Sequence, residues 1–261
     1  MKYKLLKDQS IEFMGVKLYR IQATKNFGNV TKGDIGGYIR CESNLSQYGN
    51  AWVSGDARVH GDARVHGDAS VYGNALVSGN ARVYGNAGVS GNALVHGNAW
   101  VSGNARVHGD ASVHGDARVS GDAWVSGDAL VHGNALVSGN AGVSGNALVH
   151  GDASVHGNAR VSGNTLVYGY ASVHGDALVS GNASVYGNAK IFSNLSFLYL
   201  KQKYEITITN CYIKIGCQSH TINEWEKFTD REIARMDNGA LKWWKVWKPI
   251  LMVMYDNLDR G

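Results

Sequence analysis

The side chains of this sequence that are equipped for chemistry recur at multiples of eighteen. His96, His114, His132 and His150 are each eighteen residues apart. A column of imidazoles is a candidate ligand set for a transition metal. No carboxylate or cysteine keeps the same spacing beside it, so no metal site and no cofactor is expected. Nine of the ten histidines occupy one letter of a repeat that otherwise takes mostly Ser or Tyr. Exchange among corner-tolerant residues accounts for the column without a metal.

A second pattern joins an aromatic residue, a glycine and an arginine. Trp124, Gly142 and Arg160 follow one another at eighteen-residue steps. Tyr72, Gly88 and Arg106 repeat the order, the glycine and arginine each 54 residues earlier. A missing side chain leaves a shallow pocket. An aromatic ring stacks a planar ligand, and a guanidinium forks onto phosphate or carboxylate. The sets are read as sites for an anionic, ring-bearing ligand, the Trp124 set being the stronger. Tandem duplication of one block gives the same echo without any ligand.

A third column is apolar. Leu76, Leu94, Leu130, Leu148 and Leu166 share one eighteen-residue phase, interrupted only by Ser112. A contiguous outward apolar stripe predicts an interface. The remaining phase reads Arg64, Arg82, Trp100, Arg118, Leu136, Ser154, Ser172, Lys190 and looks solvated, basic near its start and bland later.

These columns exist because the chain repeats Gly-[Asp/Asn]-Ala-x-Val-y twenty-four times from Gly49 to Phe192. A short fixed period means a solenoid, and six residues per unit means a parallel β-helix. Ala-x-Val alternates, so Ala and Val point inward and x points outward. The y-Gly-[Asp/Asn] letters turn the chain, because Gly accepts positive φ and Asn or Asp tolerates it. Three sides and three corners close an 18-residue coil. Eight coils at about 4.8 Å each make a rod of roughly 38 Å.

The pattern resembles the left-handed β-helix of the hexapeptide-repeat superfamily, where an aliphatic residue recurs every six with a small residue four positions on. Val53 then Ala57, and Val59 then Ala63, fit it. The resemblance, not the period, implies the left hand. The stretch from Lys25 to Ile39, with Gly33-Asp34-Ile35-Gly36-Gly37-Tyr38, and then Leu45-Ser46-Gln47, resembles the lead-in segment of YdcK-like hexapeptide-repeat proteins. That likeness covers about residues 17–53 and implies a phage- or prophage-type accessory protein acting in a bacterial cytoplasm. The fold is therefore expected to be all-β, a left-handed parallel β-helix of about eight to nine coils. Its parts are an N-terminal β cap (1–48), the repeat rod (49–198), and strands with two amphipathic helices (199–261).

The ends carry the charge. Residues 1–48 hold 8 basic and 4 acidic groups, and the rod holds 7 and 9. A nearly neutral rod argues against a generic nucleic-acid groove. Ile11–Phe13 and Lys17–Ala23 are expected to pair around Met14-Gly15. Ile39 and Leu45, at alanine positions of degenerate hexads, are expected to plug the first coil, and Leu195 and Phe197 the last. Thr221-Ile222-Asn223-Glu224 is a capping box. In the final helix, Trp243, Trp247, Ile250 and Met254 form one stripe, with Trp244, Leu251 and Tyr255 beside it, an aromatic surface expected to be buried against the rod's end or a sister chain, with a kink at Pro249. Cys41, Cys211 and Cys217 have no metal spacing and read as reduced thiols. The longest apolar run, 250–255, is too short to span a membrane.

Three functions fit such a rod: an enzyme, a binder or a strut. A coenzyme-A-dependent acyltransferase is the best-known job of the fold the chain resembles. It needs a distinguished histidine base beside an inserted loop. The hexads run without one inserted residue, and no histidine stands apart. An ice-binding plane needs threonine ladders, and Thr165 is the only threonine in the repeat. A spacer or polymer-forming strut needs no site at all. The reading adopted is a non-catalytic trimer, joined through the leucine column and Trp243 and Trp247, that binds an anionic nucleotide-like ligand or a host protein.

Overall fold

Every hexad builds one two-residue strand at x-Val and one turn at Gly-[Asp/Asn]. The computed structural model describes residues 1–191, 198–201, 203–208 and 213–258. Three strands precede the rod: β1 (Tyr3–Phe13), β2 (Val16–Ala23) and β3 (Ile35–Ile39). The rod follows as β4 (Trp52–Val53) through β27 (Lys190–Ile191), one strand per hexad. Each strand from β4 to β24 pairs in parallel with the one eighteen residues on, as in Gly88 opposite Arg106 and Val89 opposite Val107. The result is a parallel β-solenoid with three sheets.

The backbone ladder explains why the repeat tolerates so little change outside x and y. In one hexad, Asn104 N–H donates to Gly121 O at 2.8 Å, Arg106 N–H to Ala123 O at 2.9 Å, and His108 N–H to Val125 O at 3.0 Å. At the corners, Gly103 sits at φ +69°, and a Cβ there would lie 2.9 Å from the amide N and carbonyl O of Gly121. Conformation and contact both require glycine. Beside it a side-chain ladder runs up the rod: Asn86 donates to Asn104 at 3.0 Å, and Asn104 to Asp122 at 2.7 Å.

The core is a stack of alanines and valines, nearly all without solvent contact. Thr165 stands at an inward alanine position and is also fully buried. Its hydroxyl donates to the Ser162 carbonyl at 2.5 Å, so the buried oxygen is satisfied within its own turn.

The N-terminal hairpin forms as expected, with Phe13 opposite Val16 and Ile11 opposite Leu18, but it extends back to Tyr3. It continues one sheet of the rod through β3, whose Ile39 lies opposite Val59. Ile39 and Leu45 are fully buried, yet they stack on the valines at 59 and 65, not on alanines. Their offset is twenty residues, so the corner before Ala51 carries two extra residues. The lead-in glycines have a steric reason. A Cβ on Gly36 would lie 2.4 Å from Ile21 and 2.6 Å from the Val53 carbonyl, and one on Gly37 would lie 2.6 Å from the Ala57 carbonyl. Asn44 closes the last open edge there, donating to the carbonyls of Gly61 and Ala63 at 3.1 and 2.9 Å. Lys2 is buried, with its ammonium donating to the Ala51 carbonyl at 2.7 Å; burial lowers its pKa to about 8.

Among the described residues, the C-terminal part holds a four-stranded antiparallel sheet (Leu198–Lys201, Glu205–Ile208, Ile213–Ile215, Gln218–His220) and three helices, not two. These are α1 (Ile222–Lys227), α2 (Asp230–Met236) and α3 (Ala240–Leu258). The Thr221–Glu224 box caps α1, and a second box, Thr229 with Glu232, caps α2. In α3 the buried stripe is Ala240, Trp244 and Leu251, packed with Trp225 on the sheet. Trp243 and Trp247 stack on its flank, 5.7 Å apart and half-buried, and Ile250 is exposed. The expected stripe is thus rotated by about one residue, because the helix packs on its own sheet. Pro249 lies inside α3 without interrupting it. The cap meets the rod where the Lys214 ammonium stands 3.3 Å from the Tyr186 ring centroid. Leu195, Phe197 and Cys211 lie outside the described residues.

Candidate functional site

Since Ala, Val and the corner Gly are committed to the scaffold, any site must be written in x, y and the corner Asp or Asn. The sheet that begins at Trp52 carries both aromatic–Gly–Arg sets. Ser70, Gly88, Arg106, Trp124, Gly142 and Arg160 lie in register on successive coils. Trp52 itself is buried beneath the N-terminal cap, edge-on to Tyr3 and Phe27.

The two sets differ in structure. A Cβ on Gly88 would meet nothing within 4 Å. Tyr72 stands 50% exposed on one side, and Arg106 is exposed on the other. With Asn86, Ser90 and His108 they line an open groove of about 650 Å³. Arg106 makes no ion pair among the described residues. At Gly142, by contrast, a Cβ would lie 2.2 Å from Trp124 Cζ2, and the glycine is buried. The gap expected there is already filled by the indole. The reason is phase. Trp124 is an x residue eighteen positions before Gly142, so its ring lies on the glycine. Tyr72 is a y residue sixteen positions before Gly88, so it stands at the corner and leaves the gap open. That difference is present in the numbering. The set expected to be the weaker is the open one.

The leucine column lies in the sheet that also contains the N-terminal hairpin. Leu76 and Leu94 are in register, as are Leu130, Leu148 and Leu166. Leu94 and Leu166 are 39% and 36% exposed, and the other three are half-buried. Along the adjoining corner, His96, His114, His132, His150, Tyr168 and Tyr186 form one ladder of stacked rings. Successive centroids are 4.7 to 5.3 Å apart and the planes lie within 10° of parallel. Rings stacked this way hold equivalent nitrogens about one coil apart, whereas metal–nitrogen bonds are about 2.1 Å. Among the described residues no three His, Cys, Asp or Glu side chains converge as a metal site would require. Burial, and then the charges of His96 and His132, push the His114 pKa down; burial and His150 do the same for His132.

The third sheet, expected from its letters to be merely solvated, holds an ordered stack. Trp100 lies between Arg82 and Arg118, whose guanidinium carbons are 5.1 and 5.0 Å from its ring centroid. An arginine eighteen residues to either side of a tryptophan was the available signal.

A repeat model, the YdcK beta solenoid repeat, matches residues 69–85, 77–91, 81–97, 99–115, 117–133 and 159–175. The matched segments are similar to YdcK beta-solenoid repeats. The matched YdcK repeats cover the coils that carry Gly88, Arg106 and the Arg82–Trp100–Arg118 stack. They also cover most of the histidine ladder. No curated protein matches the chain. The YdcK repeat therefore accounts for the scaffold, while the letters at x and y carry whatever is particular to this chain. Among the described residues no helix is long and apolar enough to cross a membrane.

Proposed function

We propose that this chain is a non-catalytic, oligomeric β-solenoid that binds an anionic ligand carrying a ring. The ligand sits in the groove at Tyr72, Gly88 and Arg106. One observation carries the reading: Gly88 leaves open space between a half-exposed phenol and an arginine with no ion-pair partner among the described residues. The phenol offers a stacking face, and the guanidinium offers a fork to phosphate or carboxylate. Rods assemble through the column from Leu76 to Leu166, which places the grooves of several copies around a common axis. The likeness of the lead-in segment supports a setting in a phage or prophage accessory set, with a host molecule as the ligand or partner.

The test is a thermal-shift screen of the whole chain with nucleotides, sugar nucleotides and acyl-CoAs, repeated on Arg106→Ala. A nucleotide-class ligand is expected to raise the melting temperature of the wild type and to lose most of that effect in the variant. A shift by acyl-CoA alone, with release of free CoA in the presence of an acceptor, overturns the non-catalytic reading. An equal shift in both proteins moves the site out of this groove.

A further inference from the structure

The third sheet presents three arginines on four consecutive coils. Arg64 lies opposite Arg82, Arg82 opposite Trp100, and Trp100 opposite Arg118. The indole sandwiched between Arg82 and Arg118 restrains two long side chains in advance of any ligand, which removes part of the ordering cost of binding. None of the three arginines makes an ion pair among the described residues. The adjoining corner reads Asp62, Asn80, Asn98, Asp116. Asn80 donates to Asn98 at 3.0 Å, and Asn98 to Asp116 at 2.9 Å. Arginines, tryptophan and corner residues line an open groove of about 490 Å³. On the opposite corner, the pKa of His66 is held down by burial and then by the charges of Arg82 and Arg64, which places the positive field at the same spot.

The geometry points to an oligophosphate-binding strip: a ligand with two or more phosphates in a row, laid along the rod axis. Guanidinium forks match phosphate oxygens, and three of them in one line spread over about 14 Å, at roughly 4.8 Å per coil, require anionic groups repeated along a line. A single carboxylate engages one fork and leaves the others idle. Base stacking is not the recognition mode here, because both faces of Trp100 are already covered. The corner chemistry sets the length. The two central coils carry neutral amides, while Asp62 and Asp116 stand on the same coils as Arg64 and Arg118 and repel any part of a chain that reaches beyond those two arginines. The strip thus selects a short phosphate chain over a long polyanion. It lies on a different sheet from the Tyr72 groove and stands or falls independently of it.

The probe is inorganic tripolyphosphate, titrated calorimetrically into the full chain at two salt concentrations. Saturable binding that weakens with salt is expected. Arg82→Ala with Arg118→Ala is expected to weaken it at least tenfold. Arg82→Lys, which keeps the charge and loses the fork, should lose part of that. Arg106→Ala, on the other sheet, should leave it unchanged. Circular dichroism and melting temperature check that the exposed substitutions leave the solenoid intact; the lysine variant carries the test if the double variant does not fold. No binding at millimolar tripolyphosphate overturns the proposal, as does equal affinity in the arginine variants. A single-stranded oligonucleotide that binds more tightly as it lengthens also overturns it, since that is generic polyanion capture.

Discussion

The indole of Trp124 lies against Gly142, so close that a β-carbon on the glycine would fall 2.2 Å from Cζ2. The glycine there serves as a seat for the ring of the preceding coil. Gly88, with the same letter in the same sheet, serves nothing within 4 Å. One residue type at two equivalent positions has opposite consequences, decided by what stands one coil before it.

Substitution separates the two. Gly142→Leu is expected to displace the Trp124 ring, costing about 1–3 kcal/mol as an overpacking change, with a visible change in tryptophan fluorescence. Gly88→Ala is expected to be neutral or to stabilise by up to about 1 kcal/mol, since it only restricts the unfolded chain. Melting curves of the two proteins check this. A Gly142→Leu protein with wild-type fluorescence and melting would show that the ring does not rest on the glycine.

Corner glycines should be far less tolerant. Gly103→Ala combines a left-handed backbone with a contact 2.9 Å from the next coil's backbone. A loss on the order of 2 kcal/mol is expected from the strained conformation alone. Denaturant titration reads it; a midpoint unchanged from wild type would contradict the account.

Acid should destabilise the rod. His60, His66, His114, His132 and His174 all hold pKa values below the ordinary imidazole value, with burial the first cause in each. Between those lowered values and the unfolded value of about 6.5, the unfolded chain binds protons that the folded chain does not. Stability therefore falls as pH drops below about 6.5, and the loss is complete once pH is below the folded values. Thermal melts at pH 7.5, 6 and 5 should show this, and His114→Asn with His132→Asn should flatten the dependence. A melting temperature that rises on acidification would refute the sign.

The leucine column gives a prediction about assembly. Leu94→Glu with Leu130→Glu is expected to abolish the proposed oligomer, because the contact would bury unpaired carboxylates. The outward position of both residues leaves the fold in place. Light scattering that finds wild-type monomers at micromolar concentration rules out the assembly.

The solenoid was legible in the sequence because each letter answers to one physical demand: positive φ at Gly, no volume at Ala, a branched filler at Val. Phase was harder. Ile39 and Leu45 count as alanine positions by six, but two extra residues before Ala51 shift them onto the valine column. Periodicity alone does not reveal an insertion inside a degenerate copy. The centre of the helix stripe shifted for a related reason. A tryptophan-rich helix such as Ala240–Leu258 has apolar residues on more than one face, and the sheet beneath it selects Trp244 and Leu251. Of the site, the residue types were legible, and the occupancy of the Gly142 gap followed only from asking which side chains share a column.

The common register of all the coils has a genetic corollary. Near-identical hexads invite slippage during DNA copying, and the outcome depends on how many are gained or lost. Loss of three hexads removes one coil and leaves every downstream side chain on its original face. Loss of one hexad turns everything beyond it by a third of a circle, so that leucines run on from arginines and the ring ladder breaks. Both products keep the ladder of backbone bonds and both should fold. Only the first keeps its surfaces, so length in this protein is free to vary in steps of eighteen and is held fixed against steps of six.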